Sequence, residues 1–420
     1  MKLLVVGSGG REHAVIRKLK ENKEIEKIYC APGNGGISAD AECVDIKATD
    51  KENMVKFAKE NAIDFCVVTP DDPLALGMVD EMEEAGIPCF GPKANAAIIE
   101  ASKAFSKDLM KKYGIPTADY ETFDNEKEAL HYIEEKNTFP IVIKADGLAL
   151  GKGVLICETL DDAKTALREM MVEHVFGLSG NKVVVEEFMT GKEVSVLAFT
   201  DGNVVKAMIS SMDHKRAYDN DEGLNTGGMG TIAPSPYYTK EIAETCMETI
   251  FLPTVKAMNA EGRTFKGCLY FGLMLTPRGP RVVEYNCRFG DPETQVVLPL
   301  LNSDLLTIMK ACHDGTLKDV DVVWSEEACA CVVEASGGYP VKYEKGFEIH
   351  GLDENGQHDG VIVYHAGTKK ENGKFYTNGG RVLGITAKGA TLQDALDKAY
   401  EAVKEIGFDK MHYRTDIGKK

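Results

Sequence analysis

The sequence lacks long apolar runs. Its first apolar run, residues 3–6, ends at a glycine-rich stretch and is too short for a signal-peptide core, and no run approaches the roughly 20 residues of a membrane helix. The 420 residues contain no C-x-x-C pair and no H-E-x-x-H motif. Of the eleven cysteines, Cys329 and Cys331 are closest in sequence, inside an apolar run typical of buried thiols. We therefore expect a cytoplasmic protein with reduced cysteines and no structural zinc.

The sequence is also short of positive charge. It has 49 lysines and arginines against 66 aspartates and glutamates, for a formal charge of −17. Nucleic acids and anionic membranes bind proteins through a basic face, so neither is an expected partner. A small anionic ligand needs only a local cluster of donors and is not excluded. The length exceeds one hydrophobic core and predicts two to four domains of about 100–200 residues.

The first 90 residues alternate short apolar strands with helical stretches. This alternation predicts a parallel, doubly wound α/β sheet. The predicted strands are 2–7, 25–31, 63–70 and 87–92, and the predicted helices are 11–22, 51–62 and 73–86.

Beyond residue 100 the pattern changes to α+β with mostly antiparallel strands joined by glycine turns. Strands are predicted at 140–146, 153–157, 181–189, 193–200 and 203–211, and a hairpin at 267–277 and 281–286. Helices are predicted at 160–177 and 240–262. From about 327, three strands and a helix over 392–407 predict a small terminal domain.

A glycine-rich turn follows the first strand, in "VVGSGGREH". Backbone N–H groups and a helix N-terminus at such a turn suit an anion, and Arg11 adds charge to Gly9 and Gly10. A dinucleotide fingerprint would need glycine where Glu12 stands, and the second strand ends in "CAPGN" without an acid for a ribose. Phosphate binding is therefore favoured over NAD binding, and a turn made only for packing is the alternative.

Two further stretches are compatible with a nucleotide. "KADGLALGKGV" (144–154) is a strand–glycine loop–strand hairpin without the Walker A pattern, a shape that can cover a triphosphate while lysine neutralises it. Taken alone, an exposed hairpin is the simpler interpretation. In "VVVEEFM", Glu186 and Glu187 end an apolar strand, where an amine or ribose hydroxyls would be partners if they are buried. Solvated carboxylates are the alternative.

The stretch "RVVEYNCRFGDPETQ" concentrates polar groups at the end of a strand. Because the side-chain period of a strand is two, Glu284, Asn286 and Arg288 share one face. Glutamate and asparagine oxygens suit Mg²⁺ held together with substrate phosphates, and arginine pairs with phosphate. A half-exposed edge strand would explain the alternation but not the turn "GDPE" that follows.

A long polar stretch, 211–236, is predicted as a loop. It carries Asp213, Lys215, Arg216 and the bare amides of "NTGGMG". Structureless loops of this length are commonly functional or disordered, and the glycines between charged clusters favour a site.

Together these motifs resemble the ATP-grasp ligases, and specifically the phosphoribosylamine–glycine ligase family. The match rests on "GGREHA", "APGNGG", "FGP", "KADGLALGKGV", "VEEF", "DHKR", "NTGGMG", "EYNCRFGDPETQ", "HAGT" and "TNGGRVL", in the family's order. Each motif alone is weak, and the set is highly specific. The resemblance implies an ATP-grasp fold with an N-terminal Rossmann-like domain (1–100), an ATP-grasp domain (101–325) with a mobile lid over about 120–190, and a C-terminal α+β domain (326–420).

The resemblance also implies a reaction and its residues. ATP, glycine and 5-phospho-β-D-ribosylamine would give glycinamide ribonucleotide, ADP and phosphate in purine synthesis, in a monomer that uses Mg²⁺ or Mn²⁺. The implied metal ligands are Glu284 and Asn286. The implied ATP contacts are Lys103, Lys144, Gly151, Lys152, Gly153, Glu186, Glu187, Met189 and Glu193. The implied catalytic residues are Asp213, Lys215, Arg288 and Asp291. The implied substrate contacts are Gly9, Gly10, Arg11, Asn34, Arg216, Thr226, Gly227, Gly228 and Glu293.

The sequence departs from the family pattern in three places. "TPDDPL" stands where the family usually reads "GPE" before "APL", which leaves the role of Asp72 open. "GKEVSV" stands where "GEEAS" is common, and it retains Glu193 for the ribose. The strand "CLYFGLML" has no acid where many ATP-grasp enzymes carry a further metal ligand, which fits the glycine-ligase branch and lowers the number of protein ligands. Alternative functions are another ATP-grasp carboxylate ligase, for example of the biotin-carboxylase type, a nicotinamide dehydrogenase, and a non-catalytic nucleotide sensor.

Overall fold

The computed structural model describes residues 1–149 and 152–419. Its N-terminal part is the predicted parallel sheet, with strand order β3-β2-β1-β4-β5. The strands are β1 (Lys2–Gly7), β2 (Lys27–Pro32), β3 (Glu42–Cys43), β4 (Phe65–Val68) and β5 (Cys89–Phe90). The helices are α1 (Gly10–Leu19), α2 (Lys51–Glu60), α3 (Asp71–Ala75), α4 (Met78–Glu84) and α5 (Ala94–Ala101). Chain order reverses between β1 and β4, and ligands bind at such a point in open α/β sheets.

One predicted helix in this part is wrong in detail. The stretch 73–86 forms two helices, α3 and α4, instead of one. The break lies at Gly77, whose φ of +90° is left-handed and cannot continue a right-handed helix.

The next part contains the predicted hairpin over the glycine loop. Its elements are α6 (Lys103–Tyr113), β6 (Tyr120–Phe123), α7 (Glu126–Lys136), β7 (Ile141–Ala145), β8 (Val154–Cys157), α8 (Leu160–Met171) and β9 (Val183–Glu187). The antiparallel sheet has the order β6-β9-β7-β8, and Lys144 lies opposite Val154 across the hairpin. Gly151, a predicted ATP contact, lies outside the described residues.

The central part is a second antiparallel sheet, β11-β10-β16-β17. Its chain contains β10 (Lys192–Thr200), β11 (Val205–Ala207), β12 (Met212–Asp213), β13 (Arg216–Tyr218), β14 (Glu222–Asn225), β15 (Gly230–Ala233), α9 (Lys240–Cys246), α10 (Leu252–Ala260), β16 (Gly267–Thr276) and β17 (Gly279–Asn286). A π-helical segment, Met247–Phe251, joins α9 to α10. The predicted loop over 211–236 is wrong in detail, because β12 to β15 form there and β13 pairs with β14 as a small hairpin.

The last part completes a six-stranded sheet. Its elements are α11 (Thr294–Val297), α12 (Leu305–Asp314), β18 (Ala328–Ser336), β19 (Ile362–His365), β20 (Thr368–Glu371), β21 (Lys374–Thr377), β22 (Arg381–Gly389), α13 (Leu392–Glu405) and β23 (Met411–His412). The order is β12-β15-β18-β22-β19, with β23 also paired to β18. This sheet therefore takes two strands from before α9 and crosses the predicted boundary at 325/326. The domain limits stay a prediction.

The N-terminal and C-terminal parts are joined through a buried histidine pair. Nδ1 of His13, on α1, accepts the backbone N–H of His365 at 2.9 Å, so the proton of the neutral ring is on Nε2, which lies 2.8 Å from Asp40 Oδ2. The Asn34 side chain donates to the carbonyls of Ser8 (2.9 Å) and His365 (2.7 Å). Both histidines are fully buried, so this contact fixes the glycine-rich turn of the first part against the last.

The described residues include no helix long and apolar enough to cross a membrane. All eleven cysteines are free thiols, and only Cys43 is more than slightly exposed.

Gly36 tests the contact between the two parts. A Cβ at this position would lie 2.0 Å from Cγ of His365, while the backbone φ of −75° is unstrained. Gly36→Ala should therefore lower the midpoint of thermal unfolding, since overpacking costs about 1–3 kcal/mol. Gly407→Ala is the control, because its Cβ would first meet the flexible end of Met411 at 3.3 Å. Equal midpoints for the two variants would contradict the close approach.

Candidate active site

A polar pocket opens between the central sheet and β12. Its walls come from three neighbouring strands of the central sheet, β10, β16 and β17, together with the segment at β12. The polar side chains that line it are those of Glu193, Ser195, Asp213, Lys215, Tyr270 and Glu284. Five of these six side chains are ionisable, whereas charged residues make up 27% of the whole chain.

The end of β17 brings together the polar row that the strand period predicts. NH2 of Arg288 donates to Oδ1 of Asn286 at 3.3 Å, and Oε1 of Glu284 lies 3.9 Å from Nζ of Lys215. On the opposite face, Tyr285 is buried in the core. Of the row, Glu284 lines the pocket, and Asn286 and Arg288 are in contact with each other beyond it.

Glu284 is held in its ionised form. Burial opposes the charge, but Lys215, Lys144 and Lys103 outweigh it and lower the pKa of the Glu284 carboxyl. Gly272 lies opposite Glu284 in the β16–β17 ladder, where a Cβ would approach Glu284 Cγ to 3.2 Å. The absence of a side chain at this position leaves the carboxylate room at the pocket.

Glu284 and Asn286 fit a magnesium site. Mg²⁺ prefers carboxylate and carbonyl oxygens and is usually held by one or two protein ligands with substrate phosphates. One ionised carboxylate and one amide oxygen, lying on the same face near three lysines that can hold phosphates, provide that donor set. Among the described residues no group of three or more histidine, cysteine, aspartate or glutamate side chains is arranged to hold a metal ion.

A buried ion network joins β7, β9 and α6. The Glu186 carboxylate lies 3.1 Å from Nζ of Lys144 and 3.3 Å from Nζ of Lys107, and all three side chains are at most 5% exposed. Burial lowers the pKa of Lys107 to about 8, against the opposing charge of Glu186. Oε1 of Glu186 faces Lys107 and Oε2 faces Lys144, so each oxygen of this buried carboxylate lies beside a lysine.

The remaining predicted ATP contacts lie around this network. Lys103 Nζ donates to the carbonyl of Gly147 at 3.0 Å, at the start of the glycine loop. Burial lowers the pKa of Lys103, while Glu284 opposes that effect. Glu187 pairs with Arg278 at the surface. Lys152 and Glu193 are exposed, whereas Gly153 and Met189 are buried.

Asp213 and Glu293 form an acidic pair at the inner end of the pocket. Burial, reinforced by the charge of Glu293, raises the pKa of Asp213 well above its ordinary value. Tyr270 donates to Oε1 of Glu293 at 3.1 Å and lies 2.7 Å from Oγ of Ser195. Burial disfavours a charge on Lys215, but Tyr270, Glu284 and other acids outweigh it and raise the Lys215 pKa. Both pKa values are therefore raised, that of Asp213 by burial and that of Lys215 by the acidic groups around it.

The loop "NTGGMG" packs against the turn that carries Asp291. Gly228 has a φ of +124°, and a Cβ there would lie 2.6 Å from Oδ1 of Asp213. Arg381, from β22, donates to the carbonyls of Gly227 (2.8 Å) and Asp291 (3.0 Å), and its NH2 lies 3.4 Å from Asp291 Oδ1. These contacts place the glycine loop, the acidic turn and the C-terminal part side by side.

The N-terminal glycine turn reaches the same place. The backbone N–H of Arg11 points to Oδ2 of Asp291 at 3.4 Å. The side-chain NH1 of Arg11 donates to the carbonyl of Phe289 at 3.2 Å. The Gly9 N–H donates to Oε2 of Glu12 at 2.6 Å. Gly10 leaves space for Gln295, because a Cβ there would lie 2.7 Å from Nε2. The turn predicted to bind phosphate thus borders the turn that carries Asp291.

Three predicted substrate contacts have partners within the protein. The Asn34 amide is fully engaged, donating twice and accepting the Ile37 N–H at 2.9 Å. Arg216 donates to the Gly223 carbonyl within its own hairpin, and Thr226 Oγ1 donates to the Lys215 carbonyl, both at 2.8 Å. Their roles in substrate binding stay predictions.

Sequence reasoning missed three residues of this region. Lys107 follows Lys103 by one helical turn, a spacing that places both on one face of α6. Tyr270 lies opposite Asn286 in the ladder, which a predicted hairpin register would have indicated. Arg381 lies in the motif "TNGGRVL", but no local sequence pattern connects it with its partners Asp291 and Gly227.

Comparison with known proteins places this geometry in a family. The phosphoribosylglycinamide synthetase family matches the chain through its N domain at 1–100, its ATP-grasp (A) domain at 101–294 and its C domain at 329–420. The phosphoribosylamine–glycine ligase of Caldanaerobacter subterraneus subsp. tengcongensis is 50% identical, with 99% of each chain covered, and that of Clostridium acetobutylicum is 48% identical, with 100% of each covered.

Solved structures agree on the fold. The crystal structure of phosphoribosylamine–glycine ligase from Thermotoga maritima has a TM-score of 0.87 at 33% identity and covers 99% of this chain and 100% of its own. The biotin carboxylase domain of the Hydrogenobacter thermophilus 2-oxoglutarate carboxylase, in complex with MgADP and bicarbonate, has a TM-score of 0.74 at 18% identity, covering 98% and 91%. At that identity the likeness concerns the fold alone.

The fold and its family match define an ATP-grasp protein. Within that class, the chain belongs to the phosphoribosylglycinamide synthetase family, whose three domain matches together span most of its length.

Lys144→Met tests the buried network. We expect weaker ATP binding by calorimetry, because one phosphate-neutralising charge is lost. Stability should also fall, by less than the about 3–5 kcal/mol typical of a broken buried pair, because Lys107 remains beside Glu186. Adding Glu186→Gln should recover part of the stability without recovering ATP affinity. The exposed Lys164→Met is the control, and ATP affinity equal to that of the control would contradict the role of Lys144.

Proposed function

We infer that this chain is the ATP-dependent carbon–nitrogen ligase that joins glycine to 5-phospho-β-D-ribosylamine in purine synthesis. The products are glycinamide ribonucleotide, ADP and phosphate. The observation that carries this inference is the match of the family along nearly the whole chain, with relatives of that name about 50% identical. The polar row at the end of β17, facing a group of lysines, supports it.

We propose that the reaction passes through glycyl phosphate. A carboxylate is a poor electrophile towards an amine. In the first step a glycine carboxylate oxygen attacks the γ-phosphorus of ATP, a P–O bond forms, and the bond to the β-phosphate oxygen breaks to release ADP. The amine of phosphoribosylamine then attacks the glycyl carbonyl, the C–O bond to phosphate breaks, and the amine nitrogen loses a proton.

The first step needs positive charge around the transferred phosphoryl group. Lys144 and Lys103, near the glycine loop, would hold ATP phosphates, and Arg288 would stabilise the charge that develops during transfer. Glu284 and Asn286 would hold Mg²⁺ or Mn²⁺, which when bound neutralises phosphate charge as a Lewis acid. Such oxygen ligands prefer a hard cation such as Mg²⁺. The use of Mg²⁺ or Mn²⁺ in solution is part of the proposal.

The second step needs a proton acceptor and an anion site. The raised pKa of Asp213 suits a carboxyl group that receives a proton from the attacking amine, and Lys215 beside it would hold the glycyl phosphate. Gly9, Gly10 and Arg11 would bind the 5-phosphate of the ribose, at a helix N-terminus that suits an anion.

Water must be excluded while the acyl phosphate exists, because it hydrolyses readily. We propose that the segment of about 120–190 closes over ATP during turnover, with the glycine loop as its moving edge. A monomeric state and a cytoplasmic location are further parts of the proposal.

Another ATP-grasp carboxylate ligase is the second candidate, favoured by the fold similarity to biotin carboxylases. Substrate dependence separates the two. ADP release should require glycine and phosphoribosylamine together, and bicarbonate should not replace glycine. Bicarbonate-dependent ADP release without glycine would support the second candidate, and nucleotide binding without turnover would indicate a sensor. Hydroxylamine can take the place of phosphoribosylamine as the acceptor amine, so ATP, glycine and hydroxylamine should together yield glycine hydroxamate, ADP and phosphate.

Glu284→Ala tests the metal assignment. We expect product formation to fall by about 10³-fold or more, because metal stabilisation of transition-state charge supplies several kcal/mol. The midpoint of thermal unfolding should change little, because the carboxylate lies at a pocket and is about one third exposed. Glu348→Ala, which removes an exposed partner of Lys374, is the control and should retain full activity. Near-normal turnover of Glu284→Ala at low magnesium would overturn the assignment.

A further inference from the structure

Arg288 has a partner from the N-terminal part of the chain. Its NH2 lies 3.1 Å from Oε1 of Glu100, while the same nitrogen donates to Oδ1 of Asn286 at 3.3 Å. NH1 donates to the carbonyl of Phe289 at 3.3 Å. The guanidinium is therefore held between a carboxylate and a candidate metal ligand.

Glu100 contacts the end of β17 through both of its carboxylate oxygens. Its second oxygen, Oε2, accepts the backbone N–H of Cys287 at 2.8 Å, so one carboxylate fixes two consecutive residues. The side chain is 8% exposed and leaves little room for water to replace either contact. Both contacts fall immediately after Asn286, and the strand end cannot shift without breaking them.

The location of Glu100 is unfavourable for stability alone. It lies in the last turn of α5, where the helix dipole favours cations, and burial raises the pKa of its carboxyl, an effect that the charge of Arg288 opposes. A buried carboxylate without a partner is costly, and Arg288 and the Cys287 N–H are the groups that compensate it. Residues that break local rules in this way are expected at functional sites.

We propose that Glu100 is a positioning residue for phosphoryl transfer, acting through Arg288 on the Asn286 oxygen. The inference rests on the function proposed above. Glu100 touches neither substrate nor metal. It sets the direction of the guanidinium and of the end of β17, and so aligns the arginine with the metal-binding oxygens. The parallel N-terminal sheet, through α5, thereby contributes to chemistry in the ATP-grasp part.

The test compares Glu100→Gln with Asp201→Asn. Asp201 is a buried carboxylate that accepts three backbone N–H groups, from Asn203, Val204 and Leu317, and it lies outside the proposed site. Glu100→Gln should lower kcat by about 10–100-fold, the usual effect of removing an outer partner of a metal site, with little change in KM for glycine. The affinity of Mn²⁺ in the presence of ADP, followed by its paramagnetic resonance signal, should fall as well. Asp201→Asn should change neither quantity.

A double-variant cycle tests the route through Arg288. In an Arg288→Lys background, Glu100→Gln should cause little further loss of kcat, because the residue through which it acts has already been altered. Glu100→Asp, which keeps the charge, should recover part of the Mn²⁺ affinity. Fully additive losses, or a kcat change in Glu100→Gln no larger than in Asp201→Asn, would overturn the proposal. If the unsubstituted protein fails to make glycinamide ribonucleotide, the proposed function is wrong, while the Mn²⁺ measurement still judges Glu100.

Discussion

The guanidinium of Arg381 is the contact on which the assembled site depends. It binds carbonyls of Gly227 and Asp291 and pairs with the Asp291 carboxylate, whose other oxygen faces the Arg11 N–H. Three segments far apart in sequence meet through it. Burial opposes the charge of Arg381, but Asp291 and other acidic groups outweigh that effect and raise its pKa. The guanidinium therefore stays charged. A ligand entering this region therefore meets a preformed arrangement of backbone amides and carboxylates.

Lysines gather at one place in a protein that is acidic as a whole. The chain carries a formal −17, yet four lysines, Lys103, Lys107, Lys144 and Lys215, gather around Glu186 and Glu284. Each lysine has an acidic partner nearby, which limits the cost of collecting buried cations before a triphosphate arrives. The arrangement explains how an acidic protein can take an acidic substrate: attraction is supplied over a few ångströms, where screening by salt is weakest.

Periodicity predicted much of the fold, and distance in sequence limited the rest. The apolar strands of the first sheet, the β7–β8 hairpin and the shared face of Glu284, Asn286 and Arg288 follow from patterns within about ten residues. The strands within 211–236 were missed because β12, β13 and β14 are only 2, 3 and 4 residues long, and because β15 pairs with β18, which is distant in sequence. Glu100 and Arg381 were not predicted as site residues, since only the folded chain brings them to β17 and the Asp291 turn.

The sheet that β15 shares with β18 makes the parts of this chain difficult to separate. Cutting before residue 328 would remove one neighbour of Gly230–Ala233, a buried, apolar strand, and leave the backbone groups on that side unpaired, while β12 stays on the other side. Such an exposed edge invites pairing with other chains, so a fragment of this kind is prone to aggregate. In evolutionary terms, the C-terminal part cannot be exchanged as a free module. Any replacement must supply a strand that pairs with Gly230–Ala233 in the same register. The two parts must therefore be inherited together.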